Sequence, residues 1–387
     1  MRREKAKDKF KVFFNYTTNA GVSYYRMINF AKFMSREKNV EVAYTKYDPN
    51  NKGIVEWEQE IDSPKQEQIC KDMFMLHQNA DVAIWQMVHS GLSLDMFYQT
   101  RDMWDNKKPL LMDIDDYVHA INPESAGFSA YHNNSDLEYF AELQMKNANH
   151  LIVSTDWLAE KYKDLCPCVT VIPNAIDFEI WDQLEDHRKP GRIRIGWAGG
   201  QPHEKDLKVL TKVIPVILAK YKNVDFMFLG HFPDYLETGE RVHHIQKWYS
   251  IYDYPKEISK LGIDIGVAPL RDNQFNRAKS NLRFLEYSAL GIPTVASPVE
   301  PFNKNFLGLQ ALEADEWIDK LSLLIENEDY RLKMGRGAKA FVKLKFNAKD
   351  TAKMYLKVLK DICAGKKPIN KLKYDIKDGQ VFGSVTT

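Results

Sequence analysis

The chain has 387 residues, 44% hydrophobic, 28% charged and 12% aromatic, with 54 Lys plus Arg against 53 Asp plus Glu. That length suits two domains of about 150–200 residues, the mix is globular, and the balanced charge gives no argument for a nucleic-acid coat or a membrane surface as the global partner. Four cysteines, two of them flanking a proline at Cys166 and Cys168, make no disulfide framework and lack zinc spacing, and no apolar run approaches the ~20 residues that span a bilayer. A soluble, cytoplasmic protein with reduced thiols is expected, its basic termini solvated.

In chain order, short β-type runs alternate with amphipathic helical stretches, which predicts parallel sheets covered by helices on both faces. "FKVFFNY" reads as a strand and "VSYYRMINFAKFMSR" as a helix; "NVEVAYTKY", "ADVAIWQMV", "KPLLMDID" and "HLIVST" read as further strands, with helices at Asp136–Asn147 and Trp157–Lys163. "CVTVIPNAIDFEIWDQLEDHRKPG" is a strand followed by a polar, proline-bearing crossing between domains. The rhythm then restarts. "RIRIGWAGG" is a strand and Gly-rich turn, "DLKVLTKVIPVILAKY" a helix, "VDFMFLG" a strand, "YPKEISKLG" a helix and "IDIGVAPL" a strand. "SNLRFLEYSALG" and "IPTVAS" supply the next helix and strand, and three helices follow to Cys363. Two doubly wound α/β domains of this kind would hold a ligand in the cleft between them, at the carboxyl ends of their strands.

Four stretches could carry chemistry. In "NYTTNAGVSYYRM", Gly21 lies between a strand and a helix N-terminus, where backbone N–H groups can meet a ligand, although an ordinary strand-to-helix turn reads the same way. In "KPLLMDIDDYVHAI", Asp113, Asp115 and Asp116 cluster where a strand runs out; they could accept from sugar hydroxyls, bind a cation or cap the next segment, and two carboxylates alone are a poor divalent site. In "IGWAGGQPHEKDL", Gly199, Gly200 and Lys205 precede a long helix in an anion-binding arrangement, and His203 has no partner histidine at metal spacing. In "NRAKSNLRFLEYSALGIPTVAS", Ser280 is a natural helix N-cap. Lys279 and Glu286 stand seven residues apart, two helical turns or roughly 10 Å along one side. A cation with free N–H groups would hold a diphosphate, and a carboxylate would accept from ribose hydroxyls.

Together these stretches resemble the glycosyltransferases of family 4, most strongly between Val171 and Ser297 and more faintly at "AGVSYYR", "LLMDIDD" and "LIVSTDWLAEKY". The resemblance implies a GT-B fold: an acceptor-side Rossmann-like domain over residues 1–175, a nucleotide-sugar-binding one over 176–346, a helix at 347–364 crossing back onto the first, and a tail at 365–387. It implies retaining transfer from a nucleotide diphosphate sugar, a UDP-sugar first among candidates, without a required metal. By position, Glu286 matches the glutamate at the donor ribose. Ser280, Asn281 and Leu282 match the helix start at the diphosphate, and Lys205 a phosphate-binding lysine. Gly21 matches the first glycine-rich loop, and Asp115 the strand end where many members carry a histidine near the donor sugar.

Two departures stand out. Ala278 occupies the place of the family's first motif glutamate, eight residues before Glu286, and an aspartate replaces the usual histidine. Lys279, beside Ala278, is expected to take over part of the phosphate charge. Lys205, Lys279 and the helix N–H groups would then stabilise the departing diphosphate, with no dedicated protein base. The acceptor is left open between a glycan, a lipid, a small molecule, a protein and hydroxymethylated bases of DNA. Ala278 also keeps a non-catalytic sugar-nucleotide-binding protein as an alternative.

Overall fold

The structure, a computed structural model, describes residues 9–16, 21–44, 74–88, 91–121, 128, 136–247, 249–366, 374–377 and 380–383. Residues 17–20 of the first loop, the end of the strand expected at "NVEVAYTKY" and most of the tail lie outside these.

The first sheet has β1 (Phe10–Asn15), β2 (Val40–Tyr44), β3 (Val82–Gln86), β4 (Leu110–Ile114), β5 (His150–Val153) and β6 (Val169–Val171) in the order β2-β1-β3-β4-β5-β6, every neighbouring pair parallel. Its strands are apolar on both faces because both are covered. Phe13, Trp85 and Met112 enter one core, and Val12, Phe14 and Ile84 enter the other. The second sheet has β7 (Ile193–Gly199), β8 (Val224–Gly230), β9 (Val242–Ile245), β10 (Ile265–Ala268), β11 (Thr294–Ala296) and β12 (Leu309–Gln310), ordered β12-β11-β10-β7-β8-β9 and again parallel. Strand order reverses between β1 and β3 and between β7 and β10, so each domain has a crevice at the carboxyl ends of those strands.

Four helices matter for the site. Helix α1 covers residues 21–34 and contains a π-helical turn at Tyr24–Ile28. Helices α2 (Gln274–Ala278) and α3 (Leu282–Ala289) follow β10. Helix α4 (Ala348–Cys363) lays Tyr355, Leu356 and Leu359 into the same core as Val12, Phe14 and Phe30, so the last helix packs on the first sheet. The chain passes between domains twice, and the two passages are joined: Ile176 N donates to Phe346 O at 2.8 Å and Ala348 N to Ile176 O at 2.9 Å.

Local details differ from the sequence reading. The helix expected from Asp206 is a 3-10 run at Gln201–Val209, with Pro202 in its first turn, before the α-helix Leu210–Lys220 begins. The helix Gly91–Trp104, the strands β9 and β12 and the short α2 are additions. They are short or weakly patterned, and tertiary pairing supplies what their sequences do not announce. Residues 374–377 and 380–383 pair as an antiparallel hairpin within the expected tail.

Candidate functional site

The two crevices open into one cavity of about 630 Å³, lined from the first domain by Gly21, Tyr25, Asp115 and Asp116, and from the second by residues of the β7, β10 and α3 ends. On the first-domain wall, β1 delivers Gly21 at the start of α1, where an added Cβ would meet nothing within 4 Å. The π-helical turn that follows places two adjacent residues in service of the other domain. Tyr25 Oη donates to Glu286 Oε1 at 2.8 Å. Arg26, fully buried, grips Asp113 through Nε at 3.0 Å and Nη2 at 2.8 Å and donates from Nη1 to Ile172 O at 2.5 Å and Asn174 Oδ1 at 3.1 Å. Asn174 Nδ2 then donates to Ser280 Oγ at 2.9 Å. A buried polar relay therefore runs from β4 to the entrance of α3.

The three aspartates separate by this geometry. Asp113 is consumed by Arg26 and is structural. Asp115 and Asp116, one and two residues beyond β4, line the cavity. Burial, with the Asp116 charge second, pushes Asp115 up to about 7, against the pull of Arg26 and Lys279.

On the second-domain wall, Glu286 is 6% exposed, and its Oε2 accepts from Tyr254 Oη at 3.1 Å. Burial raises its pKa, while the Tyr25 hydroxyl works in the opposite sense. Lys279 lies over the Phe275 ring at 4.3 Å and lines the cavity with Ser280 and Leu282. Arg283, which the sequence reading passed over, stacks on Trp197 at 4.9 Å and lines the cavity beside Gly199. Gly199 has to be glycine, because a Cβ there would fall 2.6 Å from the Arg283 guanidinium and 2.7 Å from Trp197. His203 lines the same wall, its Nδ1 3.0 Å from Asp206 Oδ2, and burial pushes it down to about 4. Lys247, Tyr249 and Tyr254 also line the cavity.

Most of the residues singled out in the sequence converge here: Gly21, Asp115, Gly199, Gly200, Lys279, Ser280, Leu282 and Glu286 all line the cavity. Lys205 does not; it is exposed on the 3-10 run. Asn281 also lies off the lining, its Nδ2 donating to Asn305 O at 3.3 Å. Two expectations about α3 are corrected. The N-cap position is Asn281, not Ser280, and its side chain makes no capping bond. Lys279 is not on the helix that carries Glu286; it ends α2 with extended backbone, φ −60° and ψ 151°. The two charges meet the same cavity through a break between helices instead of a shared helical face.

That break also accounts for Ala278. Its side chain is fully buried in the first domain's core, and its carbonyl accepts from Thr155 Oγ1 at 3.2 Å. A glutamate there would enter an apolar core, off the cavity lining. Tyr25, Tyr254 and Arg283 are the additions of the structure; "SYYR" and "SNLRF" carried two of them, but nothing in their spacing marks a site. Among the described residues one group has metal-ligand proximity, His119, Glu138 and Glu142, with atoms within 4.8 Å of one another; none of them lines the cavity.

A family model described as "Glycosyl transferase-like" matches residues 214–357. No curated protein matches the chain. Among solved structures, a sucrose-phosphate synthase from Thermosynechococcus elongatus is 13% identical and superposes with a TM-score of 0.62 over 92% of this chain and 100% of its own. HepE from Anabaena, in complex with UDP and glucose, is 13% identical at a TM-score of 0.62, covering 91% and 99%. A Listeria monocytogenes protein assigned as a UDP-N-acetylglucosamine 2-epimerase is 12% identical at 0.57, covering 94% and 100%. Identities this low speak to the fold, which proteins of differing sugar-nucleotide chemistry share. The chain therefore has the GT-B fold, and its residues 214–357, from the helix after β7 into α4, match a glycosyl transferase-like family.

Proposed function

We propose that the protein is a retaining, family 4-type glycosyltransferase that moves a sugar from a UDP-sugar to an acceptor hydroxyl. The observation that carries this reading is the convergence, in one interdomain cavity, of a buried carboxylate (Glu286), two cations (Lys279 and Arg283) and the N-terminus of α3, facing Gly21 and Asp115. The cations and the N–H groups of α3 fit a diphosphate, and Glu286 fits the ribose hydroxyls. Asp115 faces the remaining space, where the donor sugar would sit.

As the glycosidic bond breaks, negative charge grows on the diphosphate. Lys279 and Arg283 line the cavity beside the start of α3, and on this reading they and the α3 N–H groups would stabilise that charge. The acceptor hydroxyl enters from the first-domain side, attacks the face the diphosphate leaves, and passes its proton to a phosphate oxygen. The donor would therefore be held mainly by the second domain and the acceptor by the first, in a soluble, cytoplasmic enzyme.

The test is transfer of labelled sugar from a panel of nucleotide sugars to a broad acceptor panel that includes hydroxymethylated DNA, with the anomeric configuration of the product determined. Retention of the donor's α-configuration is expected. An inverted product, or sugar epimerisation without transfer, would sink the reading.

A further inference from the structure

The tight run Gln201–Val209 carries a histidine that the mechanism above leaves unused. His203 lines the cavity wall with Gly199, Gly200, Lys279 and Arg283. Its Nδ1 is tied to Asp206 Oδ2 at 3.0 Å. Asp206 is itself buried, and its other oxygen accepts from Arg271 N at 3.0 Å and Asn276 Nδ2 at 2.8 Å. A carboxylate so engaged accepts at every contact, so Nδ1 of His203 carries the hydrogen. Nε2 is then the ring atom left for the cavity, an acceptor when the ring is neutral and a donor when it is charged.

Burial keeps the ring neutral in the empty cavity, and the positive charges of Lys279 and Arg283 act in the same direction. Glu204, next in the chain, is turned to His231 at 3.4 Å, and Arg271 Nε stands 3.7 Å from Asp206 Oδ1. A diphosphate entering beside Lys279 and Arg283 would reverse the balance. It would cancel the two charges that oppose protonation and place acceptor oxygens before Nε2, with Asp206 ready to stabilise the imidazolium.

Resting on the donor reading above, we infer that His203, held by Asp206, is a switchable third cation of the diphosphate subsite, which takes up one proton as the donor's phosphates bind and returns it as they leave. The proton comes from solvent and goes to Nε2. The glycine-rich turn, Lys279 and Arg283 provide the fixed part of the subsite, and His203 the part that charges only when an anion is present. Such a site would favour a bound diphosphate without holding a third uncompensated cation when empty.

The experiment is calorimetric titration of the full chain with UDP-glucose, with GDP-glucose and ADP-glucose as parallel probes, at about pH 6 in buffers of different ionisation enthalpy. A nucleotide diphosphate sugar has no group titrating near that pH, so protons counted from the buffer dependence belong to the protein. Uptake close to one proton per ligand is expected. Affinity should rise about tenfold per pH unit as pH falls between the bound-state and free-state values of the imidazole. In His203→Gln the His203 proton disappears while binding survives at reduced affinity.

Binding with a buffer-independent enthalpy overturns the inference and leaves the donor reading standing. Uptake that persists unchanged in His203→Gln assigns the proton to another group and also overturns it. Binding of none of the three probes removes the donor reading and this inference with it. The wild-type count requires no variant, so a misfolded substitution cannot obscure the result.

Discussion

The sharpest consequence of the proposed donor site concerns which basic residue would meet the phosphates. By sequence position Lys205 holds that role; by geometry Lys205 is exposed and off the cavity, while Arg283 lines it and is braced on Trp197 at 4.9 Å. Removing one preorganised contact to developing charge costs roughly 2.7–4 kcal/mol, a factor of about a hundred to a thousand in turnover. Arg283→Ala should therefore lose that much. Arg283→Lys keeps a charge but loses the planar stack and the fork of donors, and should fall between Arg283→Ala and the wild type. Lys205→Ala should stay within a few-fold of the wild type, as surface changes usually do. The assay is initial-rate nucleotide release from the best donor, with melting temperatures confirming that each variant is folded. A hundredfold loss in Lys205→Ala beside near-normal Arg283→Ala would refute this assignment and restore the position-based one.

Further expectations follow from the same contacts. Tyr25→Phe removes the cross-domain bond to buried Glu286, and a hydrogen bond to a charged group is worth about 1.5–3 kcal/mol, so chemical denaturation should show a loss in that range. An unchanged midpoint and slope would mean the contact contributes nothing in solution. Ala278→Glu should not improve transfer. It should lower stability by burying an unpaired carboxylate, less so at acid pH where that group is neutral; a stable, more active variant would contradict the placement of Ala278 in the first-domain core. For Asp115, the folded-state value near 7 lies above the ordinary 3.8, so its contribution favours folding at low pH and fades as pH rises through about 7. Stability of the wild type should thus decline relative to Asp115→Asn between about pH 4 and 7, and parallel pH profiles of the two proteins would exclude an upshifted Asp115.

The repeating β/α rhythm was legible because each strand is an apolar run covered on both faces, as "FKVFFN" and "VDFMFLG" are. The loops at strand ends were legible through Gly21, Gly199 and the "KSNLRFLE" stretch, where glycine and small polar residues follow apolar runs. What was hidden depends on three-dimensional neighbours. Arg283 looks like any basic residue on a helix until Trp197 is found beneath it. Tyr25 and Arg26 read as the apolar and polar faces of an ordinary helix; the π-helical turn that aims them at Glu286 and Asn174 leaves no periodic mark. Lys279 and Glu286 do line one cavity, but not through a shared helical face, since the helix breaks between them. Ala278 looked like a lost catalytic group and is a packing residue of the other domain.

The central claim is that a nucleotide sugar is bound between the Gly21 loop and α3 with its ribose on Glu286. Thermal or chemical stability of the wild type and Glu286→Ala, each with and without saturating UDP-sugars, tests it most directly. A donor present at a hundred times its dissociation constant should stabilise the wild type by about 2.7 kcal/mol, and the gain should largely vanish in Glu286→Ala at the same ligand concentration. An equal gain in both proteins, or none with any nucleotide sugar, would contradict the account.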